Sequence, residues 1–419
     1  MNKCRTKVDD MKQLWNRNFT ILTIGSIISA FGNAGASVAF GFLIYAETKS
    51  PLLLALFIVS NIIPRLLTNM FIGPFIDRTS RKKIIVILDL VISLFFAVIG
   101  SILWTGYFNM ILFTVLAMLF GVIDTIYQVA FMSLFPEVVT QGMHSKAYSI
   151  SSIIWPISAA IMTPLAAYLQ EQVLYGIAIL MIANAVIFFI TALIETQIKL
   201  TEKLNQSAVQ KGRFRNDIKE GILYYKKERG ILGIGLLFAC FSFVYAASDI
   251  LRMPFFVNHP VYTLQDYSFI VSAGAIGRLL GGTIHYMFKY PVHKKFLIAV
   301  SVYFTVEILS ATLLFMPYVF MVIFSFIVGL LSVTSFNIRM SSTQVYIPSS
   351  IRGRVNSTQQ LLWNLGSIIG AIVIGLTAEY SGIAYQYIIL MASIVSLSAI
   401  VIFPIRLRSE FKKIYNVDV

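Results

Sequence analysis

Residues 51–83 read PLLLALFIVSNIIPRLLTNMFIGPFIDRTSRKK. Over 51–76 the stretch carries one charge, Arg65, and as a helix it is long enough to cross the ~30 Å hydrocarbon layer of a bilayer. Over 77–83 it turns abruptly polar, with one acid, Asp77, and four cations, Arg78, Arg81, Lys82 and Lys83. An apolar helix that stops at a basic turn is what a membrane span looks like where it meets an anionic leaflet.

The same pattern extends in both directions. The chain has 419 residues, of which 58% are hydrophobic and 12% charged, with a mean hydropathy of +0.80. A soluble domain carries about 25% charged residues, and a soluble core could not hide this much apolar surface. Further apolar runs of helical length fall near 18–46, 84–104, 110–134, 149–170, 174–195, 231–257, 265–288, 296–316, 318–341, 357–380 and 384–405. With 51–76 they make twelve spans. The segment 1–18 is polar and no signal cleavage site follows it, so the first span is expected in the mature protein.

The charges orient the spans. Four arginines, Arg65, Arg252, Arg278 and Arg339, stand within spans, and Lys49 lies in a loop on one side. Every other lysine and arginine of the 33 falls in the arms and loops of the opposite side. By the positive-inside rule that side, with both termini, is expected to be cytoplasmic, in a bacterial cell membrane. The net charge of +14 is thus topology, and no nucleic-acid partner is needed to explain it. Two cysteines, Cys4 and Cys240, and four scattered histidines suggest neither a metal site nor a cofactor.

The long polar stretch 196–230 divides the chain near its middle and reads as a linker plus an amphipathic surface helix near 214–227. Features recur across it. Arg65-Leu66-Leu67 matches Arg278-Leu279-Leu280, Lys82-Lys83 matches Lys294-Lys295, and Pro136 matches Pro348, all at offsets of 212 or 213 residues. The expected fold is an all-α integral membrane protein of twelve transmembrane helices in two pseudosymmetric six-helix bundles. The boundaries expected are 1–195, the 196–230 linker, 231–405 and a 406–419 cytoplasmic tail. Six spans per half gives the repeats one orientation, the arrangement of transporters that rock about a central site.

The turn Gly73-Pro74-Phe75-Ile76-Asp77-Arg78-Thr79-Ser80-Arg81-Lys82-Lys83 resembles the G-x-x-x-D-R-x-x-R-[KR] signature of the major facilitator superfamily. The missing glycine between its basic groups resembles the macrolide-efflux and siderophore-export branch. So do Leu134-Phe135-Pro136-Glu137-Val138-Val139 and Ile347-Pro348-Ser349-Ser350-Ile351-Arg352-Gly353-Arg354-Val355. The resemblance implies a conformational latch of Gly73, Asp77, Arg78, Arg81 and Lys82, in which Asp77 contacts the start of the eleventh span. Gly73 is expected to let two helices approach closely. Thr163-Pro164-Leu165-Ala166-Ala167 resembles the antiporter segment of the fifth span, keeping its proline and small residues but not its glycines. The eleventh span keeps Gly366, Gly370 and Gly375 at spacings suited to close packing.

Ionisable groups at membrane depth cost roughly 2.5–3.5 kcal/mol on insertion scales, so each asks for a reason. The resemblance places spans one, four, seven and ten around the central cavity. On that basis Asn33, Tyr127, Gln128, Tyr245, Arg252, Asn337 and Arg339 are expected to line it, with Arg65 and Arg278 where the bundles meet. Asp124 and Asp249 are the expected proton-coupling residues. Asp124 leads because it lies mid-span without an opposite charge within one turn. Each has a plainer alternative: Asp249 and Arg252 neutralise one another, Arg339 snorkels to the interface, Glu307 is a packing residue and Asp89 is tied to the basic loops.

The function expected is secondary active export of a hydrophobic or amphipathic small molecule by proton antiport, with lipid, solute and protons as partners and the monomer as the working unit. The alternative is a facilitator or proton symporter importing a polar solute. A membrane enzyme is disfavoured, since no H-E-x-x-H, nucleophile-elbow or phosphate-loop motif is present.

Overall fold

The computed structural model describes residues 14–200, 213–287, 290–348 and 351–417. Within these, the side chains of Met70, Pro74, Asp77, Ser145, 213–219 and 285–287 are not described. Twelve helices among the described residues are long and apolar enough to cross a membrane. In chain order the spans are Arg17–Thr48, Pro51–Phe71, Arg81–Trp104, Met110–Val138, His144–Gln172 and Gly176–Glu195. Then come Arg229–Asn258, Leu264–Met287, Lys295–Thr312, Tyr318–Tyr346, Arg352–Tyr380 and Tyr385–Ile400.

Polar residues set several of the ends. Ser80 caps the third span by accepting from the Lys83 amide, and Asn109 caps the fourth through the Leu112 amide. Gly73–Arg78 forms its own short helix after a break at Ile72, so the second span stops sooner than its apolar run. The twelfth span ends in a π turn, Val401–Ile405, around Pro404, whose missing amide breaks the regular ladder.

The described residues divide into two compact units, 14–47 with 60–200, and 48–59 with those from 213 onward. In the first, the third and sixth spans pack along their length, and Asn184 donates to the Gly32 carbonyl of the first span at 3.0 Å. In the second, the eighth span packs on the tenth and the seventh on the eleventh. Gly366 and Gly370 let the last pair approach: a Cβ at either position would collide with the carbonyl of Ala239 or Phe243. Residues 48–59 group with this unit, where Ser50 donates to Glu379 at 2.7 Å.

Two helices outside the spans belong to the second unit. The surface helix Arg213–Lys227 packs on the eleventh span, with Gly221 against Thr358, Tyr225 buried, and Glu220 ion-paired to Arg354. The segment read from sequence as a tail instead forms the helix Arg408–Tyr415. It buries Phe411, Ile414 and Tyr415, and the Tyr415 hydroxyl meets that of Tyr303 at 2.9 Å.

Candidate functional site

The second unit contains a cavity of about 770 Å³. Helical spacing builds its wall. Phe238, Phe241, Tyr245, Asp249 and Arg252 recur every three or four residues and so share one face of the seventh span. Tyr267, Val271, Gly274 and Arg278 do the same on the eighth, and Ser325, Gly329, Ser332, Phe336 and Arg339 on the tenth. Glu307 comes from the ninth span, and Asn356, Gln359, Gln360 and Trp363 from the eleventh.

Two acids and three arginines therefore share one aromatic wall. Asp249 and Arg252 lie in one another's field without a direct ion pair among the described residues. Glu307 is buried, accepts from Ser396 at 2.5 Å and also lines the cavity. Arg339 does not snorkel: it is buried, with its guanidinium 4.0 Å from the centre of the Phe238 ring and its Nε unpaired. Arg278, expected between the bundles, lines this cavity.

The first unit holds the other expected acid. Asp124 is ion-paired to Arg65 of the second span, so the cation missing from its own helix comes from a neighbour. Arg65 is placed by this partner, and Asn61, one turn before it, donates to the Ala117 carbonyl at 3.0 Å. Tyr127 is buried and stacks on Phe131, where an open cavity wall had been expected. Gln128 is exposed, Asn33 half-buried, and Asn337 half-buried outside the second unit's cavity. Asp89 does not reach the basic loops; its carboxyl meets that of Glu195, which sequence reading had passed over.

The basic turn is engaged within its own unit. Arg81 pairs with Glu137 and is buried, and Lys82 donates to the Thr196 carbonyl at 2.7 Å. A Cβ at Gly73 would meet nothing within 4 Å, so close helix approach does not explain that glycine. Arg78 is exposed, and the side chain of Asp77 lies outside those described.

Twelve membrane helices in two units, with a D-R-x-x-R turn after the second span, define a transporter of the major facilitator type rather than an enzyme. Solved structures share the fold. The nucleoside transporter NupG superposes with a TM-score of 0.69 at 14% identity, covering 93% of this chain and 99% of its own. A bacterial homologue of the iron transporter ferroportin, in an inward-facing state, gives 0.69 at 17% identity, covering 94% and 98%. The profile described as "Transmembrane secretion effector" matches residues 10–415, and the chain belongs to that family of the major facilitator superfamily. Macrolide efflux protein A of Streptococcus pyogenes is 24% identical over 387 residues, covering 90% of this chain and 93% of that relative.

Proposed function

We propose that the chain exports hydrophobic or amphipathic small molecules, such as a macrolide-like drug or a secreted metabolite, by proton antiport with alternating access. The observation that carries this reading is the second unit's cavity. At about 770 Å³ it falls within the roughly 300–1,000 Å³ of drug-sized sites. Its aromatic rings suit the body of such a solute, Asp249 and Glu307 a basic nitrogen, and the arginines and amides its carbonyls and hydroxyls. The efflux relatives support the same reading at low identity.

No nucleotide-binding motif is present, so an ion gradient supplies the energy. Asp124 is the principal proton carrier in this proposal. Its pairing with Arg65 gives it two states: charged and paired, or protonated with Arg65 released. Asp249 is the runner-up, in the cavity itself. The protein works as a monomer in the cell membrane with both termini in the cytoplasm.

The test is transport of an amphipathic dye panel in inverted membrane vesicles, with and without an imposed pH gradient. Gradient-driven dye entry, abolished by a protonophore, is the expected result. If no dye responds and expressing cells instead accumulate a polar solute, the importing alternative replaces this reading.

A further inference from the structure

Asp89 of the third span and Glu195, the last residue of the sixth, are both fully buried, and their carboxyl groups meet. Four helices close around the pair. The third and sixth pack on each other, and the first adds Gly25, where a Cβ would fall 2.6 Å from Glu195 Oε1. The first span thus runs directly against the Glu195 carboxyl. The fourth span adds Tyr127, only 5% exposed, whose hydroxyl lies in the field of both acids and beside Ser29 of the first span.

Among the described residues no lysine or arginine pairs with either acid, so no cation there balances the site. Lys82 of the basic turn instead donates to the Thr196 carbonyl, and Asp124, three residues before Tyr127, is held by Arg65. Among the described residues, none donates a hydrogen bond to any of the four carboxyl oxygens. Two bare carboxylates touching in a buried, low-dielectric setting repel strongly, whereas one proton between them turns the contact into a hydrogen bond. No group of three or more metal-ligating side chains is present among the described residues.

We propose that Asp89 and Glu195 form a proton-binding site, with one proton bridging the two carboxyl groups. When the proton leaves, the charge left behind lies in the field of the Tyr127 hydroxyl. Proton gain or loss here acts on the packing of the first, third, fourth and sixth spans together. Asp89 stands about 12 Å along its helix from the basic turn, at 1.5 Å per residue, so the site lies toward the basic end of the unit.

The transport arm of the test rests on the antiport reading, whereas the spectroscopic arm does not. Infrared difference spectra of the purified, reconstituted protein are recorded across a pH titration for wild type, Glu195→Gln, Asp89→Asn, Tyr127→Phe and Asp124→Asn. Wild type should show a protonated-carboxyl C=O band that vanishes on alkalinisation. Glu195→Gln and Asp89→Asn should each lose that band, and Asp124→Asn should retain it. Because amides mimic the protonated pair, both variants should fold. Tyr127→Phe should keep the band but displace its midpoint; an unchanged midpoint overturns the part given to Tyr127.

In inverted vesicles, one pH unit supports about tenfold accumulation per proton. Glu195→Gln, which removes a second proton site beside that of Asp124, should reduce that accumulation while keeping downhill exchange within about twofold. A wild-type band that is unchanged in both carboxyl variants, or one that responds to sodium rather than pH, overturns the proposal. If wild type shows the band and its loss in the variants but no gradient-driven transport, the proton site stands and antiport falls.

Discussion

Asp124 and Arg65 stand 59 residues apart in sequence yet form one ion pair, and this changes what the acid can do. An isolated carboxyl would hold or release a proton according to its surroundings alone. A paired one must exchange one partner for another, so protonation and movement of Arg65 become a single event. Asp124→Asn is therefore expected to retain substrate binding and downhill exchange while losing the accumulation driven by a pH gradient, about tenfold per unit. Vesicle assays with and without the gradient separate the two. If that variant pumps uphill at wild-type rates while Asp249→Asn fails, the role moves to the seventh span. Sequence marked Asp124 because a charge in a span is rare, but it could not show Arg65 as the partner, since the rotation of one helix against another is written in no single run. The repeat does not reveal it either: the residue 212 positions beyond Asp124 is Phe336, so the second half has no equivalent pair. Glu195 escaped notice for a simpler reason. At the end of an apolar run it reads as an interfacial residue, and only the packing of the third and sixth spans carries it inward to Asp89.

The elements were far more legible than their contacts. All twelve spans could be placed from hydropathy because a bilayer demands about 20 apolar residues of each, and the surface helix was visible at 214–227 against an observed Arg213–Lys227. The C-terminal helix Arg408–Tyr415 was missed because so short a segment, rich in cations, looks like a solvated tail. Its signal was the spacing of Phe411, Ile414 and Tyr415, a one-sided stripe too short to stand out. That stripe is wholly buried in the second unit, where Ser342 donates to the Tyr415 carbonyl at 3.1 Å and Asn416 accepts from the Phe296 amide at 2.9 Å. A tail would tolerate loss of Phe411; a docked helix would not. Phe411→Ala is expected to cost about 3–5 kcal/mol, the range for emptying a buried phenylalanine site, and to lower the melting temperature in detergent. Tyr415→Phe removes only the bond to Tyr303 and should cost about 1 kcal/mol. Equal stability of all three proteins would return the segment to a solvated tail.

At the scale of the whole molecule, the distribution of basic residues predicts an orientation, and the direction of transport is defined only once the sides are named. The arms, the central linker and every second loop hold the lysines and arginines, while the other loops hold Lys49. Moving one positive charge outward against a negative-inside potential costs about 2.3 kcal/mol per 100 mV, and inversion would require it of nearly every cation outside the spans. Both termini and the loop at Gln141 are therefore expected in the cytoplasm, with the loop at Ser381 outside. After replacement of Cys4 and Cys240, single cysteines at these two exposed positions, Gln141→Cys and Ser381→Cys, report the orientation directly. A membrane-impermeant maleimide applied to intact cells should label Ser381→Cys and leave Gln141→Cys unlabelled until the membrane is opened. The reverse pattern would turn the molecule over and place the basic turn, and with it the end of the first unit that holds Asp89 and Glu195, on the outer face.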